Sequence, residues 1–246
     1  MAAGLQIFID GKQVPLARVH AWERKKAIAV LCKLGVRPVS ADLAELRRQL
    51  LARKLELGKD KLRALLAKEL SVSEFAGEVI ARLSRGRRRF STIEIVSESG
   101  CARDFVQWFD QLTTLNREEA MLAAAPEHYV LMRCPDGRLE VIETNGGSPL
   151  AARFFIDYQD ISSLRSTPDP TYKYQAAGIA RSSSGLALGG VRHQFRDAGD
   201  GYRAKLVVEF PFFIFPGVVS GHQWHLACEF SNWMSAYAEE SSSIAA

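Results

Sequence analysis

One change of periodicity divides this chain and limits the folds open to it. Before the run Arg85-Gly-Arg-Arg-Arg89 the apolar residues recur at helical spacing, with Ala27, Val30, Leu31 and Leu34 on one segment and Leu43, Leu46, Leu50 and Leu51 on the next. After it, Phe90-Ser-Thr-Ile-Glu-Ile-Val-Ser alternates in β-prone residues, and most of the remaining chain reads as strand. The chain must therefore join a block of helices to an antiparallel sheet.

The element boundaries come from local chemistry. Asp10-Gly11 between two short β-prone runs predicts an opening hairpin, and Gly35 with Pro38 ends the first helix. Ser40 offers an N-cap to the second, Gly58 separates it from a helix over 59–70, and Ser71 opens another that ends near Gly86. Residues 102–125 are again helical, with a break at Asn116. Strands are then expected at His128–Arg133, Arg138–Glu143, Arg153–Tyr158, Tyr172–Ala180, Gly185–Phe195 and Tyr202–Phe215, and a long helix at about Val218–Glu239. An antiparallel sheet that buries one face needs a cover, and one long amphipathic helix supplies it. This order resembles the helix-grip (Bet v 1/START-like) α+β architecture, in which sheet and helix enclose an apolar cavity. The expected organisation is a basic helical region over 1–86, a helix-grip domain over 87–240 and a disordered tail over 241–246.

Charge follows the same division. Residues 1–90 carry 20 Lys+Arg against 9 Asp+Glu, and the remainder 12 against 19. Lysine and arginine commonly coat a solvated helical face, so this excess reads first as solubility. The arginine run alone is dense enough to suggest a phosphate-rich partner. Without interleaved aromatics it reads better as a linker, and nucleic acid is not the expected partner. The helices leave a homodimer open. No run of about 20 apolar residues is present, and no apolar leader opens the chain, so neither a membrane span nor secretion is expected. Cys32, Cys101, Cys134 and Cys228 are scattered without CxxC pairing, which fits a reducing cytoplasm and assigns any metal to histidines and carboxylates.

The polar residues of the last helix could supply such ligands. His222, His225 and Glu229 fall at i, i+3 and i+7 on one stripe, although a core helix with satisfied histidines has the same spacing. In the strand Arg138–Glu143, Glu143 shares a face with Leu139 and Val141, where it needs a cation or proton unless the strand end reaches solvent. His128 shares a face with Val130, Met132 and Cys134, or lies in water on an edge strand. His193 reads as a structural or ligand-contacting residue. His128, Glu143, His225 and Glu229 could form a site of two imidazoles and two carboxylates.

Three segments carry a family resemblance. Ala125-Pro-Glu-His128, then Val141-Ile-Glu-Thr-Asn-Gly-Gly147 with Arg153-Phe-Phe-Ile-Asp-Tyr158, then His225-Leu-Ala-Cys-Glu-Phe-Ser-Asn-Trp233 resemble, in order, the metal-binding segments of the diacetylphloroglucinol and phloretin hydrolase family. The likeness spans about Phe90 to Tyr237; the helical region before it has no counterpart. It implies a Bet v 1-like fold and a Zn²⁺ ion held by His128, Glu143, His225 and Glu229. The implied reaction is zinc-dependent hydrolysis of a carbon–carbon bond in an acylated phenol or β-dicarbonyl compound. His222, His193 and Tyr129 are the candidate proton donors, and Phe154, Phe210, Phe212, Trp224 and Trp233 the candidate walls for an aromatic ligand. The competing readings are a non-catalytic or cyclase-like START-type protein binding an apolar metabolite, and an interaction protein docked through its basic helices.

Overall fold

The computed structural model describes residues 4–244. Its elements are β1 (Leu5–Ile9), β2 (Lys12–Val14), α1 (Leu16–Lys33), α2 (Leu43–Ser84), β3 (Arg88–Ser97), α3 (Ala102–Thr114), α4 (Glu118–Ala123), β4 (His128–Arg133), β5 (Leu139–Thr144), β6 (Ala151–Asp157), β7 (Tyr174–Arg181), β8 (Ala187–Ala198), β9 (Gly201–Pro211) and α5 (Pro216–Ile244). The nine strands form one antiparallel sheet ordered β2-β1-β3-β9-β8-β7-β6-β5-β4. The hairpin turns at Asp10 and Gly11, both at positive φ as a tight hairpin turn requires, and β1 then pairs with β3.

That pairing corrects the expected separation at residue 86. Ser84, Arg85 and Gly86 make a short turn directly into β3, and the hairpin extends the same sheet. Helices α1 and α2 are integrated as well. Their Ala27, Leu31, Leu46, Leu62 and Leu66 form one buried cluster with Tyr129, Val130 and Ile142 on the outer face of β4 and β5. The apolar stripe of the helical block is thus buried against the sheet, in a cluster separate from the main core. Three local expectations also change. Asp42, not Ser40, caps α2 by accepting from the Glu45 amide at 3.0 Å; α2 runs unbroken through Ser71, its one break lying at Gly58; and β9 stops at Pro211. Helix α5 continues through Ile244, into the stretch expected to be a tail, whereas positions 245 and 246 lie outside the described residues.

On the inner face the main core joins α3, α5 and the concave side of the sheet. Phe105 is fully buried, with ring centroids 5.2–6.1 Å from Trp108, Phe109, Phe195, Tyr202 and Tyr237. This cluster holds the C-terminal half of α5. The N-terminal half is set by a backbone approach: an added Cβ on Gly221 would lie 2.4 Å from Gly147 Cα, and one on Gly146 would lie 2.3 Å from the Gly221 carbonyl oxygen. Only paired glycines let the β5–β6 loop touch the helix here.

Between α5, α3, the second half of α2 and the sheet lies a cavity of about 310 Å³. Its walls are mostly apolar, including Leu139, Val141, Phe154, Val208, Phe210 and Trp233. Gly77 lies on α2 where an added Cβ meets nothing closer than Leu188 Cδ2 at 3.9 Å. In urea denaturation, Gly77→Ala is expected to raise stability by about 0.5–1 kcal/mol. Gly221→Ala is expected to lower it and to weaken whatever the cavity binds. Equal effects of the two would contradict the close approach of loop and helix.

Candidate functional site

The sheet and α5 converge on one polar cluster at the cavity wall. His128 opens β4 and lies directly opposite Glu143 of β5 in register. A bulge between His128 and Val130 follows at once, so Tyr129 and Val130 turn to the outer cluster while Leu131 faces the cavity. The expectation that His128 shares its face with Val130 and Met132 fails for that reason. The alternation in β5 holds, with Leu139, Val141 and Glu143 all on the cavity side. From α5, His225 and Glu229 reach the same place, with His222 one turn earlier.

His128 and His225 are fully buried, and Glu143, Glu229 and His222 nearly so. The His128 and His225 Nε2 atoms stand 3.2 Å apart. Glu143 Oε2 lies 3.7 and 3.6 Å from them, and Glu229 Oε2 3.2 and 3.8 Å. His128, Glu143 and His225 each offer one ligand atom such that all three lie within 4.8 Å of one another, an arrangement that could hold a metal ion.

The second nitrogens fix the tautomers. His128 Nδ1 lies 2.8 Å from the Met121 carbonyl, which can only accept, so Nδ1 carries the hydrogen. His225 Nδ1 faces Glu127 Oε2 at 3.4 Å. Glu127 is held in turn by Lys26, whose Nζ donates to it at 2.9 Å and to the Gly146 carbonyl at 2.6 Å. With hydrogen on both Nδ1 atoms, two Nε2 lone pairs point at each other beside two carboxyl groups. Two imidazole acceptors beside two buried carboxyl groups call for a proton on the carboxyls or for a cation.

Electrostatics express the same need. Burial pushes the Glu143 carboxyl up to about 8, with Glu229 adding to the rise and His128 opposing it. Burial drives Glu229 well above the usual carboxylate range. His128 is lowered by burial, and His225 and His222 are driven well below the ordinary imidazole value by burial and neighbouring positive charge. The cluster disfavours charge on every one of its members.

The other candidates divide. His222 lines the cavity with Nδ1 3.3 Å from Ser91 Oγ and Nε2 3.9 Å from Glu143 Oε1. His193 also lines it, its ring edge-on to Phe230 and its buried Nδ1 without a hydrogen-bond partner among the described residues. Burial alone lowers His193 to about 3, so it is a neutral imidazole. Tyr129 is excluded as a cavity acid: its hydroxyl meets Thr144 Oγ1 at 3.3 Å on the other side of the sheet. Phe154, Phe210 and Trp233 line the cavity, whereas Phe212 lies beneath Arg87 and Arg89 and Trp224 beneath Arg18.

Several residues of the site carry little sign of it in the sequence. Glu127 stands beside His128 in the Pro-Glu-His segment, and that adjacency is its only signal. Lys26 and Lys54 belong to the charge expected on a solvated surface. Lys54 is instead fully buried, pushed down to about 7 by burial, and donates to the Leu122 and Ala125 carbonyls at 3.3 and 3.2 Å. Tyr158, on the far cavity wall, sits in no pattern that marks it. Neither a protein-family model nor a curated protein matches this chain.

A buried carboxyl with a raised pKa stabilises the fold while protonated, and that stability is lost as pH rises from 4.5 through about 8. Above 6.5 unfolded histidines are neutral, as the buried ones are, so their contribution is flat. In chelator-treated protein near pH 8, Glu143→Gln is therefore expected to stabilise by about 1–4 kcal/mol. The gain should vanish toward pH 5. Loss of stability at pH 8 in that variant would show the carboxylate to be satisfied without a metal.

Proposed function

We propose that this chain is a zinc-dependent hydrolase of helix-grip fold that cleaves an aryl–acyl carbon–carbon bond in a small acylated phenol or β-dicarbonyl compound. The observation carrying this reading is the pair of Nε2 lone pairs 3.2 Å apart, flanked by two carboxyl groups. Metal–ligand bonds of about 2.0–2.2 Å place tetrahedral ligand atoms roughly 3.3–3.6 Å apart. The observed imidazole–imidazole and imidazole–carboxyl separations of 3.2–3.8 Å lie near that spacing. The donor set of nitrogen and oxygen suits Zn²⁺, with Cys228 directed elsewhere, its Sγ 3.8 Å from the Ala124 carbonyl oxygen. His128, His225 and Glu143 would be the primary ligands and Glu229 the fourth or a partner of bound water, a division that suits a catalytic site. The helix-grip reading is supported by the order β3-β9-β8-β7-β6-β5-β4 around a long C-terminal helix, with β1 and β2 added at one edge. Resemblance of the three segments to the diacetylphloroglucinol and phloretin hydrolases supports the reaction class.

Bound zinc would polarise the acyl carbonyl and acidify water. The chain's own residues do the rest. Glu127, tied by Lys26, holds the His225 ring in its ligating tautomer. The apolar walls orient an aromatic ring, and the unpartnered His193 nitrogen meets a polar atom on it. His222, neutral and beside Glu143, accepts the proton that water gives up on attacking the acyl carbon, and returns it to the ring carbon as the aryl–acyl bond breaks. The products are a carboxylic acid and the deacylated phenol. The apolar walls of the cavity also fit a START-type binding protein, and metal content separates the two.

Elemental analysis of protein purified without chelator should find stoichiometric zinc in wild type and in His222→Ala, and none in His225→Ala. Hydrolysis of an acylated phloroglucinol should fall by about 10²–10⁴ in His222→Ala with metal retained. Folded, metal-free wild type would remove the hydrolase reading.

A further inference from the structure

The arginine run that reads in the sequence as a linker joins an exposed apolar surface beside the cavity. On the outward face of α2, Leu65, Val72, Phe75, Val79 and Leu83 follow one another at helical spacing over roughly 27 Å. All are exposed, Phe75 at 73% and Leu83 at 61%. The stripe continues onto the segment after β9, where the Phe213 amide donates to Ser84 Oγ at 3.1 Å and Phe213 and Phe215 are exposed, Phe215 at 72%.

The unpaired charge on this surface is positive. The acids of α2 between Leu65 and Leu83 are all engaged by the body of the protein: Glu69 by Lys33 and the Ala151 amide, Glu74 by Ser183 and Arg153, Glu78 by Ser182 and Ser184. Lys68, Arg85 and Arg87 are exposed and make no ion pair among the described residues, and Arg87 stacks over Phe212 and Phe213. Arg82, bridged to Glu78, lies between them.

The cavity opens on this same side. Val72 and Ala76 of α2 line the cavity and are also exposed, and Ile80, Ile214 and Val218 line it as well. Exposed phenyl and aliphatic groups ringed by unpaired cations fit a bilayer interface bearing anionic headgroups. A second copy fits worse. Antiparallel pairing of two α2 stripes sets Lys68 against Arg85, and parallel pairing sets each cation against itself. Nucleic acid leaves the aliphatic part of the stripe without a partner.

We infer that this face docks peripherally on an anionic membrane surface, seating Phe75, Phe213 and Phe215 at the headgroup level and turning the cavity mouth toward the lipid. An apolar ligand then passes between bilayer and cavity without crossing water. No helix among the described residues is long and apolar enough to cross a membrane, so attachment is at the surface and reversible. The inference rests on the cavity and its rim and is independent of the metal reading.

Co-sedimentation of the full chain with vesicles of phosphatidylcholine, with and without phosphatidylglycerol, tests it. Binding is expected only with the anionic lipid and should weaken as salt rises. Arg85→Gln and Arg87→Gln should each weaken partitioning about fivefold. Phe75→Ser with Phe215→Ser should abolish it, with melting temperature confirming that each variant folds. No partitioning by folded wild type overturns the proposal. So does a solution dimer that Phe75→Ser dissociates, or arginine-dependent capture of a single-stranded oligonucleotide that ignores the phenylalanine changes.

Discussion

Two imidazole lone pairs aimed at one another inside a protein are a standing cost. The fold imposes that cost from both sides. The Met121 carbonyl holds the His128 hydrogen on Nδ1, and Glu127 does the same for His225. Glu143 and Glu229 lie against the same nitrogens, and burial pushes both carboxyls above the usual range. Replacing buried polar groups with apolar ones of similar volume is often stabilising, so a core gains nothing from such an arrangement by itself. The buried His128, Glu143 and His225 lie close enough together that they could hold a metal ion.

The rest of the structure serves to hold these groups at that spacing. Gly146, Gly147 and Gly221 bring the β5–β6 loop onto α5, His128 stands opposite Glu143 just before the bulge in β4, and the Phe105 aromatic cluster fixes the far end of α5. Helix α1, outside the resemblance to any hydrolase segment, contributes Lys26, which bridges Glu127 and the Gly146 carbonyl. The helical region is thereby part of the site's support, and its sequence distance of about a hundred residues is spanned by a single ammonium group.

Much of this is legible in the sequence and some of it cannot be. The strands, the opening hairpin and the long last helix follow from turn chemistry and periodicity, because both act over a few residues. His225 and Glu229 share a stripe by helical geometry, and Glu143 shares a strand face with Leu139 and Val141 by alternation. Strand phase fails at Val130 because one bulged residue reverses every side chain after it. The separation expected at Gly86 fails because composition changes there while the hydrogen-bonded sheet does not. Lys54 and Lys26 read as surface, since a lysine's stem and head give no local sign of where a sheet will close over them.

X-ray absorption at the zinc K-edge, on protein expressed with added zinc, tests the proposed metal centre most directly. The expected spectrum shows a first shell of nitrogen and oxygen at about 2.0–2.1 Å with outer scattering from two imidazole rings, one of which disappears in His225→Ala. A first shell containing sulfur near 2.3 Å, or a spectrum unchanged by His225→Ala, would contradict a centre built on His128, Glu143 and His225.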